Sequence, residues 1–288
     1  MTQKTLFSFG HGYSAQALAR LLVPEGWTIY GTTRNPEKAE QFKADGVIPV
    51  ILGVDPIPAK FGAATHLLMS AAPSEDGDPL LREYFDELVS AAPNLEWVGY
   101  LSTTGVYGDH GGDWVDENTP LTPATKRGQM RVAAETQWTK AAEDLGFPLS
   151  IFRLAGIYGP GRGPFAKVRS GSARRIIKEG QIFSRTHVED IARVLEASVK
   201  QPEKAGIYNV CDDLPVPPQD VIGYAAELLG LPLPPEEPFE TADMTPMARS
   251  FYAESKKVRN DRIKDVLGVT LLYPDYKTGL KALLALEP

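Results

Sequence analysis

The chain has 288 residues, of which 43% are hydrophobic and 23% are charged, close to the averages for soluble globular proteins. Its formal net charge of −7 argues against nucleic acid as a partner, because nucleic-acid-binding surfaces are basic. The single cysteine, Cys211, excludes an intrachain disulfide and a cysteine-based zinc site, and we expect no metal. No apolar run approaches the roughly 18 residues of a membrane span, and the N-terminus has no signal-like segment. We therefore expect a cytoplasmic protein that acts on a small molecule and does not bind membranes.

Short apolar runs alternate with helical patterns in the first half of the chain, which is typical of βαβ units on a parallel sheet. The predicted strands are 6–9, 27–30, 47–52, 66–70, 97–102 and 150–154. The predicted helices between them are 14–23, 36–44, 79–91 and 129–145. Later segments predict a short basic helix at about 168–179, a helix at 188–199 and a strand at 206–210.

This order predicts an α/β fold with a doubly wound parallel sheet of the Rossmann type. The nucleotide-binding domain would occupy residues 1–160 and be completed by residues 184–211. Residues 161–183 and 212–288 would form a smaller C-terminal lobe on the substrate side.

Residues 10–15, Gly-His-Gly-Tyr-Ser-Ala, fit the pattern G-x-G-x-x-A between a predicted strand and a predicted helix, the context that dinucleotide binding requires. Gly10 permits the tight turn, Gly12 lets the backbone approach a pyrophosphate, and Ala15 lets the helix pack on the strand. The diphosphate would lie beside Tyr13 and Ser14, where free N–H groups and the helix dipole favour anions. The alternative is a glycine-rich turn without a ligand.

The end of the second predicted strand indicates which cofactor would bind. NAD-specific sites usually have a carboxylate about 20 residues after the glycines, hydrogen-bonded to the ribose 2′-hydroxyl. Residues 31–35 here are Gly-Thr-Thr-Arg-Asn, without a carboxylate. Thr33 and Arg34 therefore predict NADP, with the guanidinium on the 2′-phosphate. NAD remains possible, and a solvated surface arginine is the alternative interpretation of Arg34.

Four ordered motifs give the chain a family resemblance that covers nearly its whole length. They are LSTTGVYG at 101–108, RLAGIYGPG at 153–161, RTHVED at 185–190 and GIYNV at 206–210. Together they resemble the extended short-chain dehydrogenases/reductases, the NAD-dependent epimerase/dehydratase family. The resemblance implies a seven-stranded Rossmann sheet and a C-terminal lobe that closes over a sugar-like or other small substrate.

The resemblance also implies roles for individual residues. Thr103 falls where the family has its catalytic Ser or Thr, whose hydroxyl can hydrogen-bond the reacting carbonyl or alcohol. Ala71, Ala72 and Pro73 would line the nicotinamide ribose.

Two further implications concern the lobe and the oligomer. Residues 165–175 would cover the substrate, with Arg174 and Arg175 able to clamp an anion, unless both belong to a solvated helix face. A homodimer through helices such as 79–91 and 129–145 is also implied.

The sequence departs from the family at the proton-transfer pair, Tyr-x-x-x-Lys. The Ala-Ala-Glu at 133–135 sets the register and places Arg127 at the Tyr position and Arg131 at the Lys position. Arginine stays protonated and cannot replace a phenol as acid and base, although Arg131 could still hold ribose hydroxyls. Two other Tyr-x-x-x-Lys matches, 252–256 and 273–277, are expected to lie far from this helix. The chain thus resembles an atypical subgroup.

Two functions are compatible with these residues. The first is an NADP-dependent oxidoreductase or epimerase-like enzyme, with Tyr107, Tyr158 or His187 as acid or base beside Thr103 and Arg131. Each tyrosine could instead be a core residue, and the histidine could instead start a helix. The second is a non-catalytic NADP(H)-binding sensor or scaffold.

Overall fold

The structure, a computed structural model, describes residues 4–286. Its strands in chain order are β1 (Thr5–Phe9), β2 (Thr28–Thr33), β3 (Ile48–Ile51), β4 (His66–Met69), β5 (Trp97–Thr103), β6 (Trp114–Val115), β7 (Leu149–Leu154), β8 (Gly156–Tyr158), β9 (Arg175–Ile177), β10 (Arg185–His187), β11 (Ile207–Val210), β12 (Glu236–Pro238) and β13 (Lys257–Val258). Seven of these form one parallel sheet in the order β11-β7-β5-β4-β1-β2-β3. The predicted Rossmann-type α/β fold is confirmed.

Helices cover both faces of this sheet and build the lobe. They are α1 (Tyr13–Leu22), α2 (Lys38–Ala44), α3 (Pro58–Gly62), α4 (Pro79–Glu83), α5 (Phe85–Ala91), α6 (Lys126–Leu145), α7 (Phe165–Arg169), α8 (Val188–Val199), α9 (Pro218–Leu228), α10 (Pro246–Phe251), α11 (Asp261–Asp265) and α12 (Tyr276–Leu286). Within residues 4–286, no helix combines the length and apolar character needed to cross a bilayer.

Two apolar cores flank the sheet. One contains Leu18 of α1 and Ile191 of α8, and the other contains Phe61, Leu88 and Trp138 from the helices of the opposite face. Burial on both faces explains why the strands are nearly continuous apolar runs. The strand order reverses between β1 and β4, and ligands of open α/β sheets bind at the carboxyl ends of the strands beside such a switch point.

The prediction of a single helix at 79–91 is wrong, since the structure has two short helices there. Asp78 caps α4 by accepting from the N–H groups of Leu80 and Leu81. Tyr84 then leaves the helical region, with φ −136° and ψ 33°, before α5 begins. A side-chain cap and one non-helical residue thus divide an otherwise periodic segment.

The basic helix predicted at about 168–179 is also wrong. Helix α7 ends at Arg169, and Gly171 follows with φ +67°, in the left-handed region that glycine adopts readily. The chain then becomes strand β9, which pairs in parallel with β12. Pairing with a distant segment therefore overrides the helical pattern.

The C-terminal lobe packs beside the carboxyl ends of the sheet strands. Helices α7, α9 and α12 share a third apolar core that includes Phe165, Ala225 and Leu280. The pairing of β13 with β6 attaches the chain after α10 to the Rossmann half. A cleft lies between the two halves.

Candidate functional site

The cleft has a volume of about 1430 Å³ and extends from the start of α1 to the lobe. The Rossmann half contributes the α1 start, the ends of β5 and β7 and the first turns of α6. The lobe contributes the segments before β9, after β9 and around α10. This is the position in which a dinucleotide and a second small molecule can meet.

The β1–α1 turn is shaped by two glycines with different roles. Gly10 has φ +78°, and a Cβ there would lie 2.7 Å from the backbone nitrogen of Ala71, so the fold itself requires glycine. A Cβ on Gly12 would meet only the Gly10 oxygen, at 3.7 Å. Gly12 caps α1 without any side-chain hydrogen bond to the first turn, so free N–H groups border open space. These features fit the diphosphate of a dinucleotide.

The residues after Gly12 connect this turn to the segment after β8. Ser14 and Ala15 are buried at the start of α1, and Tyr13 donates from its hydroxyl to the carbonyl of Pro160 at 2.9 Å. The guanidinium of Arg162 lies 5.7 Å from the Tyr13 ring centroid. Arg162 borders the cleft and was not predicted, although it directly follows the motif RLAGIYGPG at 153–161.

The end of β2 presents a free cation. The Thr33 hydroxyl accepts from the Asn35 N–H at 3.0 Å and closes a tight turn. Arg34 lies on this turn, is exposed, and forms no ion pair within residues 4–286. Its guanidinium is therefore available to an anion from outside the chain.

The segment after β4 contacts the glycine turn between β1 and α1. The Ser70 hydroxyl donates to the carbonyl of Gly10, and Ser70 borders the cleft. Ala71 touches the Gly10 backbone, Ala72 is exposed and Pro73 is buried. Of the three predicted ribose-lining residues, Ala71 thus adjoins the nucleotide turn, and Ala72 and Pro73 follow it along the chain.

Arg127 and Arg131, which the sequence comparison predicts at the family's Tyr and Lys positions, both line the cleft. Arg131 donates from Nη1 to the Tyr100 hydroxyl at 3.0 Å and to the Leu101 carbonyl at 2.7 Å. The Arg127 guanidinium lies 5.5 Å from the Phe251 ring centroid. Helix α6 begins at Lys126, earlier than predicted, because the Thr125 hydroxyl accepts from the Gly128 N–H.

Glu135, one turn beyond Arg131, belongs to a buried polar network instead of the cleft. It accepts from the Ser102 hydroxyl at 2.5 Å and pairs with Arg153 at 2.7 Å. Both partners of this ion pair are almost fully buried. The network fixes α6 against β5 and β7, so that the Arg127–Arg131 face is held towards the cleft.

The two residues predicted at the end of β5 occupy different environments. Thr103 borders the cleft, and its oxygen accepts from the Gly105 N–H at 3.2 Å, which leaves its proton free to be donated. Tyr107 is fully buried; its hydroxyl donates to Asn209 at 2.7 Å and accepts from Arg153 at 3.0 Å. Burial raises the pKa of Tyr107 to about 12. This phenol has no access to the cleft.

The other two acid–base candidates also point away from the cleft. The Tyr158 ring forms part of the wall, but its hydroxyl is buried against Gly279, and burial raises its pKa far above the usual value. His187 caps α8 by accepting from the Glu189 N–H at 3.2 Å, and burial lowers its pKa to about 4. The imidazole is therefore neutral at pH 7 and packed between Tyr158 and Tyr273.

The expectation that the 252–256 match lies far from the α6 helix is wrong. Tyr252 and Lys256 both border the cleft, because the pairing of β13 with β6 brings this segment across it. They do not form a phenol–ammonium pair on a helix, since α10 ends at Phe251, directly before Tyr252, and Lys256 is bonded to the Gly108 carbonyl and to Glu254. Tyr273 bonds Glu189 instead.

Comparison with known proteins agrees with this architecture. The profile of the NAD dependent epimerase/dehydratase family matches residues 83–211, which run from the end of α4 through β5, α6 and β7 to the end of β11. Protein YeeZ of Escherichia coli K12 is 28% identical over 281 residues, which cover 92% of this chain and 95% of YeeZ.

Solved structures extend the similarity to the whole chain. A conserved protein of unknown function from Silicibacter pomeroyi DSS is 59% identical, covers 98% of this chain and 99% of its own, and superposes with a TM-score of 0.93. A UDP-glucuronic acid 4-epimerase from Bacillus cereus, in complex with UDP-glucuronic acid and NAD, shares the fold with a TM-score of 0.76. It is 13% identical, with 98% of each chain covered.

Proposed function

We propose that this chain, which belongs to the NAD-dependent epimerase/dehydratase family, is an NADP(H)-dependent oxidoreductase that acts on a small carbonyl or alcohol compound without the usual Tyr–Lys pair. One observation carries the proposal: a single cleft joins the open space above Gly12 to Thr103 and to both α6 arginines. The family's NAD-binding fold would hold the cofactor at one end of this cleft. The side chains of this chain would hold the substrate at the other end.

Arg34 supports the preference for NADP(H) over NAD(H). A guanidinium forks onto phosphate oxygens in two parallel hydrogen bonds, and within residues 4–286 Arg34 has no ion-pair partner that would have to be displaced. The turn closed by Thr33 and Asn35 holds the backbone at this position, so the side chain starts from a fixed point at the end of β2.

The nicotinamide ring, when bound, supplies or accepts a hydride. Thr103 can donate its free proton to the substrate oxygen, and the unbonded N–H groups of Arg131 can hold ribose hydroxyls. Neither Arg127 nor Arg131 can donate and regain the proton of the reaction, since arginine remains protonated. The two arginines can therefore bind and orient the ligands, but they do not transfer the proton.

Tyr252 is the proton donor in this proposal. Its ring borders the cleft and is held between Phe183, at a centroid distance of 5.5 Å, and Phe239, at 5.3 Å. Burial raises its pKa above the usual value of tyrosine, so the phenol is protonated at neutral pH. Such a group donates to a developing alkoxide but accepts protons poorly, which favours reduction over oxidation.

A specific observation also favours the second function, a non-catalytic NADP(H) sensor. Three acid–base candidates, Tyr107, Tyr158 and His187, have buried polar groups that do not open into the cleft. If Tyr252 also fails to reach the substrate, none of these four candidates could serve as the proton donor. The protein would then respond to the bound cofactor only through a change in the contact between the lobe and α6.

Transfer of deuterium separates the two functions. The protein is incubated with NADPH deuterated at C4, on either face, and with a panel of aldehydes, ketones and keto acids. We expect a reduced product that is one mass unit heavier, formed by the native chain and not by Gly12→Val. NADPH binding without deuterium in any product would contradict the enzyme and favour the sensor.

A further inference from the structure

The cleft carries an excess of positive charge, although the chain as a whole has a net charge of −7. The cationic side chains on its wall are Arg127, Arg131, Arg162, Lys167, Arg174, Arg185 and Lys256, whereas its carboxylates are Asp243 and Glu254. A cleft with one sign of charge attracts ligands of the opposite sign. The charge therefore indicates an anionic ligand.

Some of these cations are already neutralised within the chain. Arg174 pairs with Glu237 at 2.9 Å, and Lys256 pairs with Glu254 at 2.7 Å. Arg162 lies at the other end, beside Tyr13, where the cofactor diphosphate is expected. Arg162, Arg174 and Lys256 therefore do not account for the positive charge at the substrate end of the cleft, the end that lies between α6 and α10.

Arg127 and Arg131 form no ion pair within residues 4–286. Arg127 contacts the Phe251 ring, and Arg131 donates to two neutral oxygens. The two guanidinium groups lie one turn apart on the same face of α6 and border the same cavity. Like charges at this spacing repel each other, and an anion between them removes that repulsion.

The surroundings of this pair are aromatic. Phe251 is about half exposed, borders the cleft and lies against Arg127. The next residue, Tyr252, contacts Phe183, whose ring lies 6.0 Å from the Arg185 guanidinium. A planar ligand can stack on such rings while its acidic group faces the arginines.

Arg185 extends the positive charge to the far side of these rings. It donates to the carbonyls of Phe183 and Val216 and forms no ion pair within the described chain. The nearby carboxyl of Asp212 is buried, and this burial raises its pKa to about 8.

We propose that the substrate end of the cleft is a binding site for an aromatic carboxylate, held by Arg127 and Arg131 and stacked against Phe251. This inference rests on the proposed function, because it names the substrate class of the same site. It also gives a reason for arginine at the two positions: fork-shaped guanidinium groups match the two oxygens of a carboxylate. The family's proton-transfer positions have become specificity-determining positions in this chain.

The test is calorimetric titration of the NADPH-saturated protein with benzoate, benzamide, cyclohexanecarboxylate and phenyl phosphate. We expect benzoate to bind and the isosteric neutral benzamide not to bind. Cyclohexanecarboxylate should bind more weakly than benzoate because it cannot stack. Tighter binding of phenyl phosphate than of benzoate would overturn the carboxylate in favour of a phosphate site.

Three variants make the test specific. Arg127→Gln should weaken benzoate at least about tenfold, since a charge-assisted hydrogen bond is lost, and Arg127→Lys should retain part of the affinity. Lys167→Ala removes another cation from the same cleft and should have little effect. Equal losses in Lys167→Ala and Arg127→Gln would show a general electrostatic attraction and overturn the site.

Cofactor titrations run in parallel separate the two proposals. If NADPH binds and transfers deuterium to a product of the carbonyl panel but benzoate does not bind, the inference about the substrate fails and the proposed function stands. If benzoate binds the cofactor-free protein in an Arg127-dependent way while NADPH does not bind, the carboxylate site stands and the proposed function fails.

Discussion

The two ends of the cleft differ in what they use for recognition. At the nucleotide end, most of the groups available to a ligand are backbone N–H groups at the β1–α1 turn, where Gly12 leaves the space in front of them open. At the substrate end, the available groups are side chains, among them Arg127 and Arg131, which we place at the positions of the family's acid–base pair. Backbone recognition depends on the fold and persists with it, whereas side-chain chemistry can change on an unchanged scaffold. The predictions below alter each end in turn.

The largest effect should come from Gly12→Val at the nucleotide end. The space above Gly12 is open in the protein itself, so the fold should tolerate the side chain while NADPH and NADH are both excluded. Calorimetry should show no binding, together with a native circular dichroism spectrum.

Gly10→Val is the matched control, because a Cβ there meets Ala71 at 2.7 Å and the backbone has φ +78°. This variant should lower the melting temperature instead. Cofactor binding unchanged in Gly12→Val would mean that the loop is only a turn.

The next largest effect should come from Tyr252→Phe at the substrate end. General acid catalysis contributes about 10²–10⁴-fold, so product formation should fall by that order while NADPH affinity is unchanged. Because burial raises the pKa of Tyr252, the native rate of reduction should hold through neutral pH. It should fall only above the usual tyrosine pKa of about 10.

Tyr273→Phe removes a phenol that bonds Glu189 outside the cleft and should leave the rate unchanged. Equal rates in Tyr252→Phe and the native protein would remove Tyr252 from the mechanism.

A comparable effect in the opposite direction should follow from restoring the family pair as Arg127→Tyr with Arg131→Lys. The native chain should reduce ordinary ketones slowly or not at all, and the double variant should gain up to about 10²-fold, the lower end of the range for acid–base catalysis. Rapid native turnover of ketones or sugar nucleotides, measured as NADPH absorbance, would contradict the claim that the substrate end has lost its usual chemistry.

The smallest effect should come from Arg34→Ala at the nucleotide end. Loss of a charge-assisted hydrogen bond should erode the preference for NADPH over NADH by about 1–3 kcal/mol. Lys43→Ala, which removes a surface cation already paired with Glu40, serves as the control. A native protein that binds NADH as tightly as NADPH would refute the assignment of the cofactor.

The nucleotide end could be predicted from sequence because its signals are local. The G-x-G-x-x-A turn follows directly on β1 and opens α1, and both elements have clear apolar periodicity. The buried contacts of Tyr107 could not be predicted, since they depend on Asn209 in the edge strand, 102 residues later.

The same limit applies to the lobe side of the site. Tyr252 and Phe251 reach the cleft because β13 pairs with β6, a two-residue pairing with no periodic signal. The motif Tyr-x-x-x-Lys at 252–256 could be recognised in the sequence, but this spacing brings the two side chains together only on a helix.

The most direct test of the account is a crystal structure of the NADPH complex. We predict the diphosphate above Gly12 at the start of α1, the 2′-phosphate on Arg34, and the nicotinamide ring between Thr103 and the guanidinium groups of Arg127 and Arg131. A diphosphate bound elsewhere would contradict the account. So would a nicotinamide whose C4 faces away from Thr103 and Tyr252, because the proposed proton donor could then not reach the substrate.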